Sequence, residues 1–136
     1  MSERIKYWET EKLKSKKANK YNAKKTEYNG HTYDSKHEAN VARYLDLLLS
    51  EKSASDRVVA WEPHPNSFIF TVNDVKITSY TPDFKVTYSS GKVEWWDAKS
   101  EATRKAEAYK IRKKLMLAHY NIQVKEITKH DLPQIF

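Results

Sequence analysis

Short segments in which apolar and polar side chains alternate fill the middle of the sequence, and most are bounded by prolines, a glycine or an Asn-Asp pair. Alternation with a period of two predicts β-strands, because successive side chains of a strand point to opposite faces. The predicted strands form a meander over residues 58–62, 67–72, 75–80, 83–88 and 92–99. A chain with this pattern must bury one face of a sheet under other elements.

Helical periodicity flanks these strands on both sides. The motif Ser35-Lys36-His37-Glu38 matches a capping box and predicts a helix over residues 36–50, with an apolar stripe of Val41, Ala42, Leu45, Leu48 and Leu49. A last strand is predicted over residues 122–127, after a second helix over 102–119 with the buried stripe Ala108, Ile111, Leu115 and Ala118. The expected fold class is α/β, with a mixed central sheet flanked by helices.

Composition excludes several kinds of site. The chain has no cysteine, so disulfides, zinc ribbons and thiol nucleophiles are ruled out, and any metal must be held by oxygen or imidazole ligands. Two glycines are too few for a glycine-rich phosphate loop, so no nucleotide cofactor is expected. No apolar run approaches the length of a membrane span, and no apolar leader follows Met1. We therefore expect an intracellular protein without a membrane partner.

The net charge of +7 is concentrated at the amino terminus, where residues 1–30 hold nine of the 25 Lys and Arg against four of the 18 Asp and Glu. We predict a basic, mobile arm over residues 1–27, with DNA contacts from Lys20, Lys24 and Lys25. The domain is predicted over residues 28–136 and opens with a hairpin turn at Asn29-Gly30. A basic arm favours a polyanionic partner, first of all nucleic acid; a solvated tail has the same composition.

Two carboxylates and a lysine are expected to meet at one end of the sheet. Asp97 and Lys99 are two residues apart and so leave the same face of their strand. Asp83 opens the preceding antiparallel strand and can lie beside Asp97. Neighbouring carboxylates repel each other unless a proton or cation lies between them, and a hard divalent cation suits oxygen ligands. The alternatives are a turn aspartate after a proline and an ordinary cross-strand charge pair.

Glu38 belongs to the buried stripe of the first helix, since it precedes Ala42 and Leu45 by four and seven residues. A buried carboxylate needs a partner, and two interpretations are open. Glu38 can close the capping box with Ser35, or it can be a ligand in the same metal site.

The order of these residues resembles the PD-(D/E)xK nuclease superfamily. The chain has Glu38 on a first helix, then Pro82-Asp83, then Asp97-Ala98-Lys99 before a basic helix. The segment Ser79-Tyr80-Thr81-Pro82-Asp83-Phe84 is also similar to phage endonuclease I-type Holliday-junction resolvases, and the length and basic arm resemble small phage-encoded nucleases. The resemblance covers about residues 28–128 and implies a restriction-endonuclease-like αβββαβ core.

The resemblance also implies a set of site residues, carried over by matching position: the metal ligands Glu38, Asp83, Asp97 and the Ala98 carbonyl, and the catalytic lysine Lys99. The metal would be Mg²⁺, with Mn²⁺ as a substitute. Asp97 stands where Glu is commoner, and Ser100 stands where many relatives have Gly. Glu62 stands where several relatives carry Gln, and is either an extra acid at the site or a plain surface residue.

The predicted function is a Mg²⁺-dependent endonuclease that hydrolyses phosphodiester bonds of DNA. The small surface favours structure-selective cleavage of branched or junction DNA by a homodimer, as in phage-type recombination or replication, in the host cytoplasm if phage-encoded. The second helix would hold phosphates, unless its basic face is only solvated, through Arg104, Lys105, Lys110, Arg112, Lys113 and Lys114. The alternatives are a sequence-specific restriction, homing or transposase-subunit nuclease, and a non-catalytic DNA-binding module. The five histidines lack ligand-like spacing and are assigned no role.

Overall fold

The computed structural model describes residues 24–136. Residues 1–23 of the predicted arm, with Lys20, lie outside the described residues. The chain divides into two compact units, Met1–Ala39 and Asn40–Phe136, and the boundary falls within the first helix. None of the helices in the described part of the chain has the length and hydropathy that a membrane span requires.

The described part of the first unit opens with a hairpin. Strands β1 (Thr26–Tyr28) and β2 (His31–Tyr33) pair antiparallel around Asn29 and Gly30, whose φ angles are 51° and 82°. A two-residue hairpin turn of type I′ has positive φ at both positions, which Asn-Gly adopts readily, so the predicted turn is confirmed. The last two residues of the predicted arm belong to β1.

Helix α1 (Lys36–Ser50) agrees with the predicted span. Ser35 caps its amino terminus, because the Ser35 hydroxyl oxygen accepts the backbone N–H of Glu38 at 3.0 Å. The predicted apolar stripe is buried at its centre, where Ala42 and Leu45 are inaccessible to solvent. Glu38, in the first turn, is buried as expected for a residue of this stripe.

Six strands follow α1 in the described residues. They are β3 (Val58–Pro63), β4 (Phe68–Val72), β5 (Val75–Tyr80), β6 (Phe84–Tyr88), β7 (Val93–Ala98) and β8 (Lys125–Ile127). Four of them form a sheet in the order β3-β6-β7-β8, in which β6 pairs antiparallel with β3 and β7, and β8 runs parallel to β7. The predicted α/β class with a mixed central sheet is therefore confirmed.

Strands β4 and β5 form a separate hairpin, so the predicted meander is wrong in this part. Pro63, Pro65 and Pro82 give the physical reason. Proline lacks the N–H that a sheet ladder uses, so the chain leaves the sheet after β3 and returns to it at β6. The hairpin buries Phe70 and exposes a set of aliphatic side chains: Ile69, Val72, Val75 and Ile77.

The predicted second helix is interrupted at residues 105–106. It consists of one turn, α2 (Glu101–Arg104), followed by α3 (Glu107–Tyr120). The predicted buried stripe is wrong, since three of its members are exposed: Ala108, Ile111 and Ala118. The buried face instead carries Tyr109 and Met116, which pack with Phe70, Tyr80 and Val124. This face is buried because Tyr109 and Met116 fit the core cluster and Glu126 accepts the hydrogen bond of the Tyr109 hydroxyl.

Different elements cover the two faces of the central sheet. On one face the buried Trp96 stacks on Tyr44 of α1, with ring centroids 6.3 Å apart. On the other face Trp95 contacts Phe68 of β4 edge-to-face at 4.9 Å. Because side chains alternate along a strand, Asp97 points to the Trp95 side, which the β4–β5 hairpin and α3 cover.

Candidate active site

Asp83 and Asp97 lie opposite each other where β6 begins and β7 ends. Phe84 faces Trp96 in the antiparallel register, so the residue before Phe84 comes opposite the residue after Trp96. The backbone N–H of Asp83 donates to Asp97 Oδ1 at 3.1 Å, and the backbone N–H of Ala98 donates to Asp83 Oδ2 at 2.9 Å. Each carboxylate is thus held by the neighbouring strand, and the structure brings the two residues together as predicted.

The other oxygen of Asp97 contacts two further side chains. The Tyr80 hydroxyl donates to Oδ2, and Lys99 Nζ lies 3.5 Å from the same atom. Tyr80 ends strand β5, so the hairpin outside the central sheet supplies this donor. Only 2% of the Asp97 side chain is exposed, and donors at both oxygens hold the carboxylate in one orientation.

Two buried tyrosines act as hydrogen-bond donors around the site. Burial raises the pKa of Tyr80 above its ordinary value, and the negative charge of Asp97 raises it further. Burial also raises the pKa of Tyr109, as does its hydrogen bond to Glu126. Both hydroxyls therefore stay protonated at neutral pH, and that of Tyr109 donates to Glu126 Oε2 at 2.7 Å.

The Lys99 ammonium lies against an aromatic ring as well as Asp97. Its Nζ is 4.0 Å from the centroid of the Tyr109 ring, and 17% of its side chain is exposed. A cation over a ring face is attracted by the ring quadrupole, by about 0.5–2 kcal/mol. Lys99 lies beside Asp97 as predicted. The Tyr109 ring of α3, here called the platform of Lys99, is a second contact that the sequence did not reveal.

Glu126, on strand β8, is a further polar residue beside the site. It faces Asp97 in the parallel register of β7 and β8, and its Oε2 lies 3.3 Å from Lys113 Nζ. Sequence reasoning missed Glu126, because the local pattern of two strands separated by helices does not define their parallel register. The available signal was a charged residue between apolar Val124 and Ile127.

His64 is a second residue that sequence reasoning missed. It lies after β3, between Pro63 and Pro65, and has a φ of 46°. Its backbone N–H donates to the Asp83 carbonyl oxygen at 2.8 Å, and one ring nitrogen lies within 4.8 Å of a carboxylate oxygen of Asp83. Spacing among the histidines gave no indication of this, since the neighbour is an aspartate; the available signal was a histidine fixed between two prolines.

The roles of three predicted site residues, Glu38, Ala98 and Glu62, stay predictions. Glu38 is 5% exposed and lies in the first turn of α1; its backbone bond to Ser35 is one half of the predicted capping box. The Ala98 carbonyl as a metal ligand stays a prediction. Glu62 is exposed and faces Lys85 in the register of β3 and β6, and its part in the site also stays a prediction.

The predicted DNA-binding residues occupy two environments. Arg112 and Lys113 lie three and four residues after Tyr109 and are half-buried on its side of α3. Surface ion pairs join Arg104 to Glu101 and Lys110 to Glu107, which contribute only about 0–1 kcal/mol and leave the basic groups accessible to phosphates. The exposed members of the set are Lys24, Lys25, Lys105, Lys110 and Lys114.

The chemistry of the donor set fits a divalent cation. Asp83 and Asp97 supply carboxylate oxygens, and His64 brings an imidazole nitrogen within 4.8 Å of one of them. Two ligand atoms at about 2.1 Å from one ion lie roughly 3 Å apart when adjacent and about 4.2 Å apart when opposite. The limit of 4.8 Å between the His64 ring nitrogen and the Asp83 carboxylate oxygen is close to the second of these separations.

The fold and site define a mixed α/β protein whose central sheet ends in a clamped carboxylate pair beside a lysine. The chain belongs to the family described as "Protein of unknown function (DUF1064)", which it matches over residues 18–131. No curated protein and no solved structure matches the chain.

Proposed function

We propose that this protein is a metal-dependent endonuclease that hydrolyses phosphodiester bonds of DNA, with Mg²⁺ as cofactor and Mn²⁺ as a substitute. The observation that carries the proposal is the group of Asp83, Asp97 and Lys99. The carboxylates of the two aspartates accept hydrogen bonds from each other's strands, and the buried Asp97 lies 3.5 Å from the Lys99 ammonium. Burying such charges is costly, and an apolar group of the same volume would stabilise the sheet at least as well. The presence of this group is therefore better explained by chemistry than by stability.

The chain's own groups account for positioning in the proposed reaction. A bound divalent ion would polarise the scissile phosphate and lower the pKa of water. The Tyr80 hydroxyl and the Asp83 backbone N–H fix the two oxygens of Asp97. Lys99 Nζ would orient the attacking water and stabilise negative charge on the phosphoryl oxygens. The metal would be held by the predicted ligands, which are Glu38, Asp83, Asp97 and the Ala98 carbonyl.

The proposal includes a restriction-endonuclease-like core. Helix α1, the antiparallel strands β3, β6 and β7, helix α3 and the parallel strand β8 follow one another in the αβββαβ order. The β4–β5 hairpin is an insertion between the first two of these strands. Asp83 and Asp97 then belong to the second and third strands of the core, where the resemblance expects the acidic pair.

DNA as the substrate is supported by charge and size. The net charge is +7, and α3 exposes lysines a short distance along the chain from Lys99. Such residues bind phosphates without reading sequence. A chain of 136 residues has little surface for reading a long sequence, which favours structure-selective cleavage of branched or junction DNA inside the cell.

A homodimer would bring one site to each strand of a junction. The outer face of the β4–β5 hairpin supports this, because its aliphatic side chains are 51–60% exposed and form an apolar surface of the kind through which proteins associate. Light scattering should then give twice the chain mass of 16.0 kDa, and a mass of one chain would exclude the dimer.

The test of the function is incubation of the full chain with linear, nicked, flapped and four-way DNA, in Mg²⁺ and in EDTA. We expect cleavage of branched DNA in Mg²⁺ and no cleavage in EDTA, and Lys99→Ala should bind the same substrates but cut them only at a low residual rate. Binding without cleavage by the unmodified chain would make the protein a DNA-binding module. Cleavage of linear duplexes at fixed sequences would make it a sequence-specific nuclease.

A further inference from the structure

We infer that His64 is a nitrogen ligand of the metal held by Asp83, and that the site therefore prefers a first-row transition ion such as Mn²⁺ to Mg²⁺. The inference rests on the proposed function, and it concerns which of the two ions proposed there, Mg²⁺ or Mn²⁺, the site binds more tightly. It concerns a residue to which neither the sequence pattern nor the resemblance gives a role.

The backbone around His64 is held in an unusual conformation. A φ of 46° is uncommon for a residue other than glycine, and a residue before proline favours extended backbone instead. Two features maintain it: Pro63 is anchored opposite Phe84 in the sheet, and Pro65 is buried. Uncommon backbone conformations that the surrounding structure maintains occur preferentially at functional sites.

This conformation ties His64 to Asp83 through the main chain. The His64 N–H donates to the Asp83 carbonyl oxygen at 2.8 Å, so the two residues keep a fixed backbone relationship. One ring nitrogen then lies within 4.8 Å of an Asp83 carboxylate oxygen, which is close to the roughly 4.2 Å expected for opposite ligands of one ion. The His64 side chain is exposed, so its ring can rotate to close the difference.

A nitrogen donor changes which ion such a site selects. Mg²⁺ is small, loses water reluctantly and prefers a shell of oxygen ligands. Imidazole suits first-row transition ions, and affinity for mixed nitrogen and oxygen sites rises from Mn²⁺ along that row. Replacing one oxygen ligand by His64 therefore weakens Mg²⁺ binding relative to Mn²⁺ binding.

The experiment measures metal binding by the full chain without DNA. Mn²⁺ is titrated by electron paramagnetic resonance of the free ion and Mg²⁺ by competition, for the unmodified chain, His64→Gln and the control His119→Gln. Glutamine keeps polarity and similar length without an imidazole. His119 is a matched control because it is also exposed, but it lies on α3 with its ring 5.6 Å from that of Phe70.

We expect the unmodified chain to bind Mn²⁺ at least about tenfold more tightly than Mg²⁺, and His64→Gln to lose about tenfold in Mn²⁺ affinity with little change for Mg²⁺. Spin-echo modulation from a directly bound ¹⁴N should be present in the unmodified chain and in His119→Gln, and absent in His64→Gln. Thermal unfolding of the three proteins verifies that they are folded.

Two results would overturn the inference, and they differ in what they say of the nuclease centre. If Mn²⁺ binds without nitrogen modulation and is lost in Asp97→Asn, the role of His64 is wrong while the carboxylate centre remains. If the unmodified chain binds no Mn²⁺ and no Mg²⁺, the inference and the proposed function are both wrong.

Discussion

The ammonium of Lys99, the residue that follows strand β7, lies 4.0 Å from the centroid of the ring of Tyr109 on helix α3. The same Nζ is 3.5 Å from Asp97 Oδ2, so the cation is held between a ring and a carboxylate. Tyr109 is itself fixed, since its hydroxyl donates to Glu126. Through Tyr109, helix α3 therefore helps to fix the position of the Lys99 ammonium.

Replacing Tyr109 tests this platform. Tyr109→Leu removes the ring and should lower kcat about tenfold with little change in KM, because the attraction of about 0.5–2 kcal/mol that orients Lys99 is lost. Tyr109→Phe keeps the ring and should retain most of kcat. Steady-state cleavage of the preferred DNA substrate at varied concentration, well below the unfolding temperature, gives kcat and KM.

A Lys99→Ala background supplies the control for this pair. If the ring acts through Lys99, adding Tyr109→Leu to Lys99→Ala should not lower the residual rate further. An additional tenfold loss in the double variant would show that Tyr109 acts by another route.

The carboxylate pair gives a second prediction. Asp83→Ala and Asp97→Asn should abolish cleavage in Mg²⁺ while DNA affinity is kept or improved, because each removes negative charge near the phosphates. Gel-shift titration measures affinity and a cleavage assay measures rate on the same samples. Cleavage by both variants at the unmodified rate would exclude these residues from the site.

Glu38 allows capping to be separated from catalysis. Glu38→Gln can still accept and donate hydrogen bonds at a helix start, so a capping role predicts normal cleavage and a loss of unfolding free energy of about 1 kcal/mol or less. A ligand role predicts near-complete loss of cleavage with little change in Tm. Ser35→Ala serves as the reference, since it removes the observed cap at Glu38 N–H and should lower Tm without affecting cleavage.

Truncation tests the arm. Deleting residues 1–23 removes seven Lys and Arg and leaves strand β1 complete. DNA affinity should fall, and the slope of log affinity against log salt should decrease by about 0.9 for each phosphate that the shortened chain no longer neutralises. Cleavage at saturating DNA and low salt should persist. An unchanged slope would show that these residues do not bind DNA.

Charge reversal on α3 should distinguish its two environments. Lys110 is exposed beside Glu107, so Lys110→Glu should weaken DNA binding and leave kcat nearly unchanged. Lys113 is 3.3 Å from Glu126, so Lys113→Glu places a second carboxylate beside the one that accepts the Tyr109 hydroxyl, and it should lower both kcat and Tm. Equal effects of the two reversals would contradict the difference in environment.

Much of the fold could be predicted from local patterns. The span of α1 followed from a capping motif and a periodic stripe, and the Asp83–Asp97 juxtaposition followed from strand alternation and a short connection. In both cases the relevant contacts are close in sequence, where geometry alone constrains the outcome.

The remaining parts depend on contacts between distant segments. The sequence pattern of α3 favours its aliphatic residues over Tyr109 for the core, because a buried tyrosine hydroxyl needs a hydrogen-bond acceptor. Glu126 supplies that acceptor from strand β8, which follows α3 in the chain. The separation of β4 and β5 from the sheet likewise depends on which strand β3 pairs with. Neither choice is visible in a local window of sequence.

The turn between β6 and β7 makes the carboxylate pair a local product of folding. Gly91 has a φ of 90°, and the Tyr88 N–H donates to the Lys92 carbonyl oxygen at 2.9 Å, so one short hairpin contains both Asp83 and Asp97. Hairpins of this kind close in about 1–10 µs. Tyr109 and Glu126 arrive only when α3 and β8 dock, which requires closure of a longer loop. During folding we therefore expect Asp83 and Asp97 to come together before Tyr109 and Glu126 reach Lys99.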